Sequence, residues 1–121
     1  MSKTLKPALT LTGTAADFGA ALALSVSDSL TVNVPFEGVS QITITTADDQ
    51  ELVPTSGGVK YFYARNTDNT NFVILQTVAS QQYARLSPGE FCFFPVNDGN
   101  GLEARADTAS CILEYAYWTK A

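Results

Sequence analysis

Three observations predict an all-β, antiparallel β-sandwich of about eight or nine strands, with the jelly roll among its candidate topologies. From Val59 to Thr119, short runs rich in aromatic and β-branched residues follow one another. Clusters of Asn, Asp, Gly, Pro, Ser and Thr separate these runs at the spacing of turns between half-buried strands. The chain has 121 residues, 45% of them hydrophobic and 16% charged, a balance that supports one folded core rather than disorder.

Taken in order, Met1 to about Thr14 is a Thr-rich segment that reads as an N-terminal arm or a first strand, with 15–121 as a single sandwich domain. Ala15–Leu24 has the alanines of a helix, but Gly19 and the β-type residues that follow weaken it. Alternation marks strands over Leu30–Val34 and Gln41–Ala47, with Pro35 and Gly38 punctuating the link. Asp48-Asp49-Gln50-Glu51 reads as an acidic turn and Pro54–Gly58 as a loop. Six strands are expected after it: Val59–Asn66, Phe72–Thr77, Gln82–Leu86, Glu90–Pro95, Leu102–Asp107 and Cys111–Thr119.

Three of these strands do not alternate cleanly. In Val59–Asn66, Glu90–Pro95 and Cys111–Thr119 apolar residues point both ways, as Phe91 and Phe93 against Cys92 and Phe94 show. An antiparallel strand with one wet face keeps polar residues on it. Both faces are therefore expected to be covered, either by another part of the chain such as the N-terminal segment or by a second subunit.

The residues offer little chemistry. The chain has no histidine, which removes His-based triads, His metal sites and the usual general base near neutral pH. Cys92 and Cys111 read as small buried thiols, with a bridge between them as the alternative. Glu90 and Glu114 are the carboxylates inside strands; they read as outward-facing groups or as partners of Arg85 or Arg105. Asn97-Asp98-Gly99-Asn100-Gly101 resembles part of a calcium loop but lacks the further spaced ligands, so it reads as a hairpin turn. No catalytic residue, cofactor site or metal site is assigned. The net charge of -5 and the scattered cations argue against a nucleic-acid partner. No apolar run is long enough to span a membrane and no signal peptide is visible, so a cytoplasmic product is expected. Tyr117 and Trp118 are the aromatic pair expected to face the surface.

Two stretches carry a resemblance. Tyr61-Phe62-Tyr63-Ala64-Arg65-Asn66-Thr67-Asp68, then Leu86-Ser87-Pro88-Gly89-Glu90-Phe91 and Phe93-Phe94-Pro95-Val96, resemble small β-sandwich structural proteins of tailed-bacteriophage virions. The likeness spans about half of the chain, Val59 to Trp118, and its motifs are moderately specific, since such Pro-Gly turns occur in other sandwiches. It implies a virion protein made in the host cytoplasm, of the capsid decoration or cement type, with a tail or fibre component that binds carbohydrate as the alternative. It transfers no catalytic residue. The expected partners are copies of the chain itself, as a trimer, and a phage capsid or tail protein. On this reading the N-terminal arm orders on the shell or on a neighbour, and Lys3, Lys6, Tyr117 and Trp118 are the candidate interface residues. Pro88 and Gly89 set a type II turn in the motif.

Overall fold

Strand follows strand along the computed structural model, which describes residues 2–33, 38–47, 50–55, 57–97 and 99–121. Before residue 50 come β1 (Ser2–Leu5), β2 (Ala8–Gly13), the single helical turn α1 (Ala15–Phe18), β3 (Leu22–Ser27), β4 (Leu30–Asn33) and β5 (Ser40–Ile44). Then follow β6 (Gln50–Val53), β7 (Lys60–Asn66), β8 (Val73–Gln76), β9 (Gln82–Leu86), β10 (Phe91–Val96), β11 (Leu102–Ala106) and β12 (Cys111–Thr119). The strand pairs are all antiparallel.

Eight of these strands form the sandwich. One sheet has the order β10-β7-β12-β5 and the other β6-β11-β8-β9. The first strand of the eight pairs with the last, the second with the seventh, the third with the sixth and the fourth with the fifth. That is one long antiparallel hairpin rolled into two sheets, the jelly-roll topology. The turns follow from it. Ser87-Pro88-Gly89-Glu90 and Asn97–Gly101 carry the chain from one sheet to the other, so the second is a crossing rather than a hairpin. Its Asp98 lies outside the described residues.

The main core lies between the sheets. Phe62, Ala64, Ile44 and Leu113 of one sheet meet Val53, Val73, Leu75, Leu86 and Leu102 of the other. Phe62 is fully buried, with the Phe94 ring 5.6 Å away and tilted by 59°. Burial of this kind is worth about 2 kcal/mol per large side chain.

Two expectations need correction. Gln50 and Glu51 open strand β6 instead of finishing an acidic turn; Asp48 and Asp49 lie outside the described residues. A register shift against β11 turns two successive residues, Leu52 and Val53, into the core, and this breaks the alternation that would have revealed the strand. The helix suggested over Ala15–Leu24 is one turn long. Gly19, at φ 77°, ends it by donating its N–H to the Ala15 carbonyl at 2.9 Å, and Leu22 starts a strand. Among the described residues twelve strands stand where eight or nine were expected: Met1–Thr14 holds two, β1 and β2, and β3 and β6 are added.

These four make one ribbon. β1 pairs with β4 and β2 with β3 in a single continuous register, from Ser2↔Asn33 to Gly13↔Leu22. The Asp28 N–H donates to the Pro7 carbonyl at 3.1 Å where the two halves join. Pro35 and the end of the expected strand at Val34 lie outside the described residues.

The motif that carried the resemblance forms one knot around Asn66, which is completely buried. Its amide donates to the Asn71 carbonyl at 2.9 Å and the Leu86 carbonyl at 2.8 Å, and its side-chain oxygen accepts the Asp68 N–H at 2.9 Å. The Gly89 N–H donates to the Asn66 carbonyl at 2.9 Å. Gly89 has φ 82°, and the Glu90 N–H closes on the Ser87 carbonyl at 2.9 Å, as a type II turn requires. Glu90 returns the bond, its carboxylate accepting the Ser87 N–H at 2.6 Å.

Asp68 anchors the next loop. Its carboxylate accepts the Asn71 N–H at 2.6 Å and the Thr70 N–H at 2.9 Å, and these bonds hold its pKa below the usual carboxylate range. The folded value lies below the unfolded one of about 3.9, so this stabilisation is fully present above that pH and is lost as pH falls through the folded value. Asp68→Asn is therefore expected to flatten the acid limb of a stability profile below about pH 4. An acid limb identical to that of the wild type would refute this role.

Candidate interaction surface

The two faces of the sheet containing β7 and β12 have different cover. Its inner face joins the main core. On its outer face Tyr61, Ala116 and Trp118 form a second cluster with Val32, and Leu5, Leu30 and Tyr63 pack against it. The base of the ribbon, β1 with β4, supplies that cover. An isolated bridge pairs Val32 with Lys120, and the Ala121 N–H donates to the Thr31 carbonyl at 3.0 Å. Intramolecular covering thus accounts for part of the doubled apolar faces.

It does not account for all of them. Phe91 is 63% exposed and Phe93 38%, both on β10, an edge strand of its sheet. Phe93 stacks beside Tyr61, with centroids 6.4 Å apart, so this open patch continues the second cluster sideways. Pro95, which has no N–H to give a neighbouring strand, also lies on this edge.

The outer half of the ribbon is barer still. Among the described side chains from residue 8 to 29, all are exposed except Gly13. The register places Leu9 opposite Val26 and Leu11 opposite Leu24, with Leu22 next along. These five therefore share one face, while Thr10, Thr12 and Ser25 occupy the other. The apolar face belongs to the same side of the ribbon as Leu5 and Leu30 at its base. A two-stranded hairpin is marginal in water unless its apolar face is packed.

The four candidate interface residues separate. Lys3 and Lys6 are exposed on the ribbon. Tyr117 is half-buried against the main core, and Trp118 is buried at 9% exposure, so the pair does not face the surface. The cover over Trp118 comes from Leu5, Leu30 and Val32, far away in sequence. Of the residues that do form an exposed apolar surface, those on the ribbon carried an alternating signal in the sequence, Leu22-Ala23-Leu24-Ser25-Val26, and those on β10 a doubled apolar one.

The polar candidates have structural partners. The Tyr63 hydroxyl donates to Glu114 at 2.6 Å, and burial, with this carboxylate next, pushes its pKa up to about 12. The Arg85 guanidinium lies 3.6 Å over the Phe72 ring, a cation–π contact, and lines an open groove of about 460 Å³ with Tyr83 and Asp107. Among the described residues no cluster of His, Cys, Asp and Glu is arranged to hold a metal ion, and no helix is long and apolar enough to cross a membrane.

Cys92 and Cys111 are free thiols on β10 and β12, with β7 between those strands. Burial pushes the Cys92 thiol up to about 11 and raises that of Cys111 as well. Since the thiolate is the reactive form, neither is expected to react appreciably with a maleimide or disulfide reagent at pH 8 until the chain unfolds. Rapid native labelling of either, followed by mass spectrometry, would contradict their placement.

The fold and the surface together define an all-β jelly-roll protein with an apolar ribbon standing off its body. The chain matches no protein-family model, no curated protein and no solved structure.

Proposed function

We propose that the chain is a non-enzymatic structural protein of a tailed-phage virion, a decoration or cement protein that stabilises the capsid through many copies of a modest contact. The observation that carries this reading is the apolar surface left open after the core has closed: Leu9, Leu11, Leu22, Leu24 and Val26 on the ribbon, with Phe91 on the sheet edge. Exposed apolar surface of this extent marks contact with another macromolecule. The jelly roll supports the reading by analogy of fold, since it recurs in viral shells, though it also recurs in lectins. The sequence resemblance of Tyr61–Asp68, Leu86–Phe91 and Phe93–Val96 to virion proteins supplies the particular assignment. Multivalency converts weak single contacts into stable shell binding, and a three-fold lattice position suits a trimer.

The test is co-sedimentation of the purified chain with shells assembled from the major capsid protein of the same phage. Saturable binding, with shells made more resistant to heat, is expected. A chain that binds tails but not shells would move the assignment to the tail, and one that binds neither would end the virion reading. The carbohydrate-binding alternative needs an exposed aromatic platform, and Trp118 does not supply one because it is buried.

A further inference from the structure

We infer that the outer half of the ribbon is an exchange arm, and that its occupant is a second copy of this chain, seated along that copy's β10 edge at Phe91 and Phe93. This goes beyond the virion reading and does not depend on it.

Three observations lead to the second copy. The first is continuity. At its base the ribbon lays Leu5, Leu30 and Val32 onto the outer face of its own sheet, beside Tyr61 and Trp118. Beyond the Pro7–Asp28 pair, where a carboxylate breaks the stripe, the same face of the ribbon resumes with Leu9, Leu11, Leu22, Leu24 and Val26, past the end of the cover it makes on its own body. An occupant that matches the outer half should therefore resemble what the inner half already binds.

The second is that the molecule holds such a surface unfilled. Phe91 and Phe93 extend the Tyr61 cluster to the sheet edge, and Phe93 stacks on Tyr61 itself. One chain thus carries both an apolar arm without a seat and an apolar seat without an arm. The third is area. The chain exposes 7186 Å², whereas a compact monomer of its mass is expected to expose about 6,300 Å². The excess, roughly 900 Å², is close to the ~800 Å² that each partner contributes to a standard stable interface.

Arm and seat are different patches, so the copies either exchange arms reciprocally in a two-fold pair or pass them head-to-tail. A reciprocal pair or a closed ring leaves no arm unseated, whereas an open head-to-tail contact leads to a filament. The six-residue strands of the arm reach about 20 Å beyond its base, enough to cross onto a neighbour.

Light scattering after gel filtration tests this, without any capsid present. The wild-type chain is expected as a discrete oligomer. The double variant Leu11→Asp with Leu24→Asp spoils the arm, and Phe91→Asp spoils the seat. Because all three side chains are exposed in the single chain, each variant should keep the wild-type circular dichroism and melt as a folded protein. Each is expected to run as a monomer, with association weakened by more than about tenfold, as for charges placed at the centre of an apolar interface. Mixing the two variants restores one intact arm–seat contact, so a two-chain species should reappear. A wild type that stays monomeric at high micromolar concentration would overturn the proposal. So would a Phe91→Asp variant that remains a full oligomer, since the arm would then sit elsewhere. Capsid binding by a monomeric wild type would overturn arm exchange and leave the virion reading standing.

Discussion

Asn66→Ala is expected to lower the stability of the chain by about 4 kcal/mol in urea denaturation, and its melting temperature by roughly 15 °C. The side chain is fully buried and satisfies three backbone groups: the carbonyls of Asn71 and Leu86 and the N–H of Asp68. Alanine removes all three partners while the groups stay where they are. Each unsatisfied buried group costs about 1–3 kcal/mol, and a small void adds to the total. The three bonds also tie the end of β9 and the loop after β7 into one joint. The loss should therefore extend beyond the site. Hydrogen exchange at Asp68, whose N–H loses its side-chain acceptor, is expected to accelerate more than exchange at Phe62 in the centre of β7.

Asn66→Asp sharpens the test because it is nearly isosteric. A carboxylate cannot donate to the Leu86 and Asn71 carbonyls, so burial and those two oxygens hold the new group's folded pKa above its unfolded value. The sign then runs opposite to that of Asp68. The destabilisation is complete above the folded pKa and vanishes below the unfolded one, so the variant should regain stability on acidification through that window. A loss of less than about 1 kcal/mol for Asn66→Ala, with no pH dependence for Asn66→Asp, would mean that water satisfies these groups.

The same knot shows what could be read from residues alone. The turn at Pro88-Gly89 was legible because its chemistry is local: Pro fixes one φ and Gly permits the positive one. The six strands after residue 58 were legible for the same reason, since turn clusters bound each of them, and the structure shifts their ends by only a residue or two. The bulge that turns Leu52 and Val53 inward together was not legible, because it depends on pairing with β11 about fifty residues later. Nor was Asn66 itself, which reads in sequence as one more polar residue at the end of a strand.

The interaction surface was legible as a fault in a pattern. Apolar residues on both faces of three strands implied a cover, and the structure supplies half of it from the ribbon base. Which residues stay uncovered depends on where the ribbon crosses the sheet, and local periodicity carries no information about that crossing. Hence Trp118 was expected at the surface and lies under Val32, whereas Leu22 and Leu24, within the alanine-rich helix candidate Ala15–Leu24, stand in the open.

Trp118→Ala separates the two accounts of that residue. If it were an exposed platform for sugars, its loss would cost little stability and abolish glycan binding. Packed at 9% exposure among Val32, Tyr61 and Ala116, it should instead cost about 3 kcal/mol, the scale of a large aromatic removed from a core. The ribbon base can lift away instead of leaving a rigid void, which puts the cost toward the lower end of that scale. The same lifting gives a second readout. Limited proteolysis of the variant should cut within residues 2–33 well before it reaches the jelly roll, because the second cluster is the main apolar attachment of the ribbon to the body. In the wild-type chain Trp118 is the only tryptophan, so its fluorescence reports directly on that attachment. Its emission should be blue-shifted while the ribbon is seated and shift red as the base lifts, ahead of the main unfolding transition wherever the two separate. A variant as stable as the wild type, cut no faster in the ribbon, would show that Leu5, Leu30 and Val32 hold the outer sheet without the indole. The arm would then be anchored by those three side chains together with its bridge to Lys120 and the hydrogen bond from Ala121.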